Sequence, residues 1–323
     1  QWLSPAEKAL LEKAPDKAFG FSPGELRSYS HHYKRGKFKD WEGKTTIVFT
    51  EKRIAQGVVA YRFLSSWNYT GDKSLTSMDP GSRESGGKLF VSLQENAILD
   101  VTPEGFPLHY AGSMSAKVLH YIFSGDFSYD FTPEGIRYSD TTNNVNALAA
   151  EYRYSVMRAL SDFDKVEIGG RYLGGMTKDQ FLSIYKERKN FFVDHIPLLR
   201  NIPLYLFLQS GENNAKYGQS KIIFPNTGDD TFKIARNLSD IASGSNFPIR
   251  DLVKFYPQVF TVRDFDFSKS KDKIKVHDKE LECYKVKTDF YESIDFWVLE
   301  NGKIIQIYFP VRDEIMWLDE DYL

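Results

Sequence analysis

The sequence predicts a mainly β protein with a helical insertion (α+β): a curved antiparallel sheet or open β-barrel with helices covering it. Three observations carry that reading. Apolar and polar residues alternate with period two over much of the chain, as in residues 45–50 and 259–267. Aromatic residues make up 15% of the chain, with 25 Phe and 19 Tyr against 5 Met, a bias toward strands and aromatic-lined interiors. A helical period takes over near the middle, where Val145, Leu148, Ala149, Tyr152, Val156, Ala159 and Leu160 share one stripe.

Taken in order, Ser4-Pro5-Ala6-Glu7 is a capping box with proline at the first helical position, and Pro15 stops that helix near Ala14. Such a short helix is expected to pack on something larger. Residues 26–33 read as a strand, followed by a polar turn around Gly36. Strands are expected at 45–50 and 58–67, and a Gly, Ser, Asp and Pro-rich loop at 71–87. Residues 88–94, 97–101 and 108–110 continue the sheet. Asp100-Val101-Thr102-Pro103-Glu104-Gly105 and Asp130-Phe131-Thr132-Pro133-Glu134-Gly135 share one turn chemistry. Proline presets φ early in the turn and glycine supplies positive φ at its end, so both segments read as hairpin turns.

Helix is expected over roughly 143–200 with one break. Thr177-Lys178-Asp179-Gln180 caps the second part, and the glycine-rich run 169–175 reads as a joint that lets a helical cover move. Strands resume at 204–209, 221–224 and 232–235, a helical turn at 251–255, then strands at 259–267, 281–288, 293–299 and 303–310. Glu300-Asn301-Gly302 supplies an Asn-Gly hairpin turn, and the chain ends in an acidic tail. The organisation is an N-terminal helix and linker at 1–20, a first β half at 21–142, the insertion at 143–200 and a second β half at 201–323. Residues 21–323 are expected to form one compact unit.

Composition excludes several function classes. A net charge of −2 gives no global field toward nucleic acid. The basic runs at 34–39 and 269–275 fall in expected turns and read as solvated. No apolar run approaches the ~18 residues of a membrane helix. One cysteine, Cys283, excludes an internal disulfide and any multi-cysteine metal centre. Cys283 falls in an expected strand and reads as a buried, inert thiol. The six histidines show no zinc-helix spacing, and His31 and His32, adjacent on a strand, point to opposite faces. Asp264-Phe265-Asp266-Phe267-Ser268 opens like a calcium loop but lacks its glycine and closing glutamate, and its alternation reads as a strand. Gly-x-Ser-x-Gly is absent. No catalytic residue, metal or cofactor is assigned.

Two segments carry a family resemblance. Phe21-Ser22-Pro23-Gly24-Glu25-Leu26 with Tyr29 resembles the opening strand of a bacterial envelope domain family of unknown function. Glu282-Cys283-Tyr284 through Asp295-Phe296-Trp297-Val298 to Ile305 and Pro310 resembles that family's end and the lipoprotein-localisation-factor-like half-barrels. The resemblance covers about a third of the chain. It implies a curved sheet around an apolar cavity with helices as a lid. The start at Gln1 fits a removed signal peptide, so an exported protein of the bacterial periplasm or outer envelope is expected.

The function expected is therefore non-enzymatic binding of an apolar ligand, a lipid or acyl chain, or of a hydrophobic partner segment, in a β-lined cavity. Tyr121, Phe123, Tyr152, Val156, Phe296 and Trp297 are the candidate ligand-facing residues. The first alternative is a structural or protein-interaction module using an exposed sheet edge. The second is a hydrolase with a loop-assembled site.

Overall fold

The computed structural model describes residues 3–33, 42–74, 88–118, 121–143, 165–172, 178–188, 191–192, 197–223, 262–288, 293–310 and 313–323. The chain begins with α1 (Pro5–Lys13) and runs through β1 (Leu26–Tyr33), β2 (Glu42–Ala55), β3 (Val58–Ser74), β4 (Lys88–Val101), β5 (Pro107–Val118), β6 (Tyr121–Thr132), β7 (Gly135–Asn143) and β8 (Lys165–Tyr172). There follow α2 (Lys178–Glu187), β9 (Phe191–Phe192), α3 (Pro197–Gln209), β10 (Asn214–Ile223), β11 (Val262–Val276), β12 (Lys279–Thr288), β13 (Ile294–Val298), β14 (Ile304–Phe309) and β15 (Glu314–Leu318).

All strands join one 15-stranded sheet. Its order is β8-β7-β6-β5-β4-β3-β2-β1-β15-β14-β13-β12-β11-β10-β9. Two antiparallel meanders therefore meet where β1 pairs with β15, from Tyr29 opposite Leu318 to Tyr33 opposite Glu314. Among the described residues the one parallel pair is β9 with β10. The sheet is curved and does not close. Side chains alternate between its faces, so a strand turns every second residue to the same side.

The inner face supplies the core. Phe49, Phe63, Leu99, Phe131, Phe296, Val298 and Leu318 are sealed there. The helices α2 and α3 fill one end of the concavity as a floor. They contribute Phe181 and Tyr185, and Ile202, Leu204 and Phe207. Each such large apolar side chain contributes about 1.5–3 kcal/mol of burial. Phe207 stacks on Phe267 with centroids 5.2 Å apart. The Tyr205 ring lies over Gly302, where a Cβ would meet it at 2.6 Å. Gly302 has φ +84 in the Asn301-Gly302 turn, so the glycine serves both the turn and the docking of α3.

The chain enters through a tight turn. Ala18 and Phe21 bridge each other while Phe19 and Gly20 take positive φ, which drives both Phe19 and Phe21 into the core. Arg27, only 2% exposed, covers the Phe21 ring at 3.7 Å and donates to Glu25 at 2.8 Å and to the Gly20 carbonyl. The capping box of α1 forms as expected. However, α1 has no buried residue. Its C-terminal end is tied to the sheet instead: Lys52 donates to the Ala14 carbonyl at 3.0 Å and to Asp16 at 2.6 Å, and Tyr61 donates to the Pro15 carbonyl at 3.1 Å.

Several expectations are corrected. Residues 204–209 belong to helix α3, not to a strand. Both sides of α3 are apolar, so no stripe betrayed its period, and Pro203 sits inside it. Residues 165–172 form strand β8 rather than helix, and Gly169 and Gly170 are ladder positions opposite Ser139 and Tyr138. A terminal strand tolerates such glycines, and the joint between helices does not exist there. The lysine run at 269–275 lies within β11, not in a turn. The stripe at 145–160, the basic run at 34–39 and the segments 232–235 and 251–255 lie outside the described residues.

Trp297 and Cys283 lie on the outer face in a second apolar cluster with Ile305, Val276 and Trp317. Cys283 is buried, and desolvation followed by the neighbouring Asp272 charge pushes its thiol up to about 11. A maleimide should therefore label folded protein at neutral pH far more slowly than a free thiol, and labelling at the free-thiol rate would contradict this placement. Gly105 and Gly135 have φ +89 and +124, as the shared turn chemistry requires. Replacing either with Val should lower stability by about 1 kcal/mol or more in urea denaturation, and an unchanged midpoint would refute the strain argument.

Candidate functional site

The strand register builds an interior row that crosses the junction of the two meanders. Phe296, Ile307, Met316, His31, Gly43 and Tyr69 are successive partners in it, and the backbone ladder runs on from Tyr69 to Leu93, Ala116 and Phe123. Two residues along, and so on the same face, Thr45 pairs with Trp67, and Trp67 with Glu95. Polar groups thus enter an otherwise apolar interior just beyond the helical floor.

Their centre is His31. The ring is 2% exposed, and its Nδ1 lies 2.9 Å from Glu314 Oε1 and 2.6 Å from the Tyr69 hydroxyl. Nε2 lies 2.7 Å from Thr45 Oγ1. Both ring nitrogens are satisfied when the Nδ1–H donates toward Glu314 and the Thr45 hydroxyl donates to Nε2. The Tyr69 hydroxyl donates to Glu314 at 3.0 Å. Gly43 makes this contact possible. It stands between His31 and Tyr69 in the ladder, and a Cβ there would meet the Tyr69 ring at 2.7 Å. Without a side chain on β2, the Tyr69 ring lies across that strand and reaches β1.

The order Thr45–His31–Glu314 matches the nucleophile–base–acid relay of hydrolases, including the use of the two ring nitrogens. Two requirements of that chemistry are unmet here. Thr45 is 3% exposed, so no substrate carbonyl reaches its hydroxyl. Thr45 is also a ladder position paired on both sides, with Tyr29 and with Trp67, which leaves the strand no free amide pair for an oxyanion.

Glu95 is the second interior carboxylate. It accepts from the Tyr110 hydroxyl and from Trp67, but burial dominates and raises its pKa above the ordinary carboxylate range. Burial, then the Glu95 charge, push the Tyr110 phenol well above its usual value. Around these groups Trp67, Tyr69 and Phe127 form an aromatic wall that stays partly accessible. Trp67 meets Tyr69 edge-on at 5.3 Å, and Phe127 lies 5.0 Å from Tyr110.

Of the residues chosen from sequence, Phe296 is fully buried on the inner face in the His31 row. Trp297 faces the other way. Its indole donates to Asp272 at 3.0 Å, and the Lys285 ammonium sits 4.5 Å over its ring. Consecutive strand residues take opposite faces, so these two cannot line one cavity. Tyr121 and Phe123 lie in β6, opposite Val118 and Ala116. Tyr152 and Val156 lie outside the described residues. As expected, His31 and His32 diverge: His32 stacks on Trp317 at 4.4 Å on the outer face. Glu314, Tyr69, Trp67 and Glu95 were not singled out. The one available signal was a carboxylate at an inward position of an alternating strand, which Glu95 shows between Leu93 and Ala97.

Among the described residues no group of three or more His, Cys, Asp or Glu is placed to hold a metal ion. No described helix is long and apolar enough to cross a membrane. No protein-family model matches the chain, and no curated protein matches it. A similar solved structure is the β-barrel-like protein of domain of unknown function DUF1849 from Brucella abortus. It is 9% identical, with 91% of this chain and 94% of that chain covered, at a TM-score of 0.39. At that score the likeness carries no conclusion about this chain's activity.

Gly43→Val should expel the Tyr69 ring from its place against His31. A loss of about 1–3 kcal/mol is expected in chemical denaturation, and an unchanged stability would mean that Tyr69 does not lie over this glycine. Glu95 gives a pH signature. A carboxyl whose folded pKa is raised stabilises the fold below the unfolded pKa and loses that contribution as pH rises through the folded value. The stability difference between wild type and Glu95→Gln should therefore shift in favour of the variant as pH rises above the ordinary carboxylate range. A difference that is flat with pH would contradict the burial of Glu95.

Proposed function

We propose that the concave face of the sheet is a receptor for an apolar ligand, a lipid or acyl chain, or for a hydrophobic segment of a partner. The supporting observation is the partly accessible wall of Trp67, Tyr69 and Phe127, on the same sheet face as the sealed core residues Phe49, Phe63, Leu99 and Phe131. Large aromatic faces left open on the interior side of a curved sheet are the ordinary lining of an apolar site, and a few convergent polar groups orient the ligand. His31, Glu314 and Glu95 are buried behind the wall and do not reach a ligand; they hydrogen-bond Tyr69 and Tyr110 and so hold those rings in place.

The protein then works by binding rather than by turnover. Phe296 and Tyr69, one on each side of the junction, belong to a single interior row, so both meanders contribute to the same surface. Tyr121 and Phe123 of β6, together with Tyr152 and Val156, are assigned to the same ligand as part of this proposal. Export to a bacterial periplasm fits such a carrier.

Binding of a fluorescent fatty-acid analogue to delipidated protein tests this directly. Saturable binding is expected, with Trp67→Ala and Phe127→Ala each weakening it by about fivefold or more, equivalent to ~1 kcal/mol of lost aromatic contact. Absence of saturable binding by the folded wild type would remove the receptor reading.

A further inference from the structure

We propose a second, separate binding site, for a small zwitterion in which a phosphate or carboxylate neighbours an ammonium group. It is the cleft of about 480 Å³ beside the C-terminal end of α3, lined by Leu208, Asn213, Lys269, Lys271, Tyr284 and Glu300. It does not rest on the apolar-ligand reading.

The charge pattern of β11 carries the inference. Lys269, Lys271, Lys273 and Lys275 occupy alternate positions and therefore one face of the strand. The outer two are neutralised: Lys273 lies 3.5 Å from both Glu280 and Glu282, and Lys275 lies 3.0 Å from Asp278. Lys269 and Lys271 have no carboxylate partner among the described residues, and these are the two that line the cleft. Two unneutralised ammonium groups in one half-enclosed cleft repel each other, and an anion seated between them relieves that repulsion.

Lys269 is also positioned in advance. Its ammonium lies 5.4 Å from the Phe207 ring centroid and 5.6 Å from that of Tyr284, within cation–π range of both. Its backbone amide donates to the Asn213 carbonyl at 2.8 Å, which fixes the strand at the cleft. Lys271 stands directly opposite Tyr284 in the ladder and is free to close on the ligand from the open side. Leu208 and Tyr284 supply an apolar wall for the ligand's carbon chain.

Glu300, from the turn between β13 and β14, decides the ligand class. It repels a bare anion and pairs with a cation held next to one. An anion that carries its own ammonium satisfies both lysines and Glu300 together. A free zwitterion and the headgroup of a lipid share this chemistry.

Isothermal titration of full-length protein with O-phosphoethanolamine and with inorganic phosphate tests the class, and co-sedimentation with phosphatidylethanolamine vesicles separates the sources. Phosphoethanolamine should bind more tightly than phosphate. Lys271→Ala, an exposed position, should weaken it about fivefold, as should Lys269→Met, which keeps an aliphatic chain between the rings. Glu300→Gln should abolish the preference over phosphate. Binding in solution with inert vesicles assigns a free zwitterion, and vesicle binding lost in Lys271→Ala assigns a headgroup. No binding of either probe, equal affinity for phosphate in the wild type, or indifference to Lys271→Ala would overturn the proposal. A fatty-acid titration that succeeds while this one fails leaves the apolar-ligand reading intact.

Discussion

The pairing of β1 with β15 is the contact on which the rest of the structure depends. Every other neighbouring pair of long strands is close in sequence, and most are joined by a hairpin or a short connection. The β1–β15 ladder instead joins residues nearly the whole chain apart, such as Tyr29 with Leu318. Without it the chain is two antiparallel ribbons, each with an exposed edge. With it, the inner faces of both ribbons become one surface and share one apolar core. Closing so long a loop costs chain entropy that rises only slowly with length, so contacts made after closure offset it. Tyr29 is one of these: it is 2% exposed, its hydroxyl donates to the Ile304 carbonyl at 3.3 Å, and burial pushes its phenol up to about 12.

The same junction explains why polar groups stand inside a β interior. Glu314 on β15 and His31 on β1 are brought together only when the junction forms, and Thr45 and Tyr69 complete their hydrogen bonds from β2 and β3. A buried polar network contributes little net stability compared with well-packed apolar residues, yet breaking it is costly because the remaining partner is stranded. Such a network specifies register. A slip of β15 by one residue would turn Glu314 outward and leave His31 facing Ile315 or Trp317. The groups that fix the junction are therefore those that lie behind the aromatic wall.

Local chemistry made much of this legible in the sequence. The capping box at Ser4, the two Thr-Pro-Glu-Gly turns, the Asn301-Gly302 turn and β1 all follow from short-range rules, and each stands where those rules place it. Elements buried on both sides were not legible. In β15, Glu314, Ile315 and Met316 are all buried, so no alternation marks the strand, and the sequence pattern assigns it no element. The helix α3 lost its stripe for the same reason. The run 169–175 reads as a glycine-rich joint because its glycines hide the terminal strand β8. The His31 site was half legible. Opposite faces for His31 and His32 followed from alternation, but Glu314, with 283 residues of separation, is joined to His31 only by tertiary pairing. Phe296 and Trp297 were joined as neighbours in sequence although a strand sets neighbours apart.

Native-state amide hydrogen exchange tests the central claim most directly. If the β1–β15 ladder unites the two meanders, the paired amides of 29–33 and 314–318 exchange together, as slowly as the core strands β2 and β14, through one global opening. Fast exchange of β15 and of the facing edge of β1, at the rate of independent sheet edges and with β2 and β14 still protected, would contradict a single sheet and with it the shared interior surface.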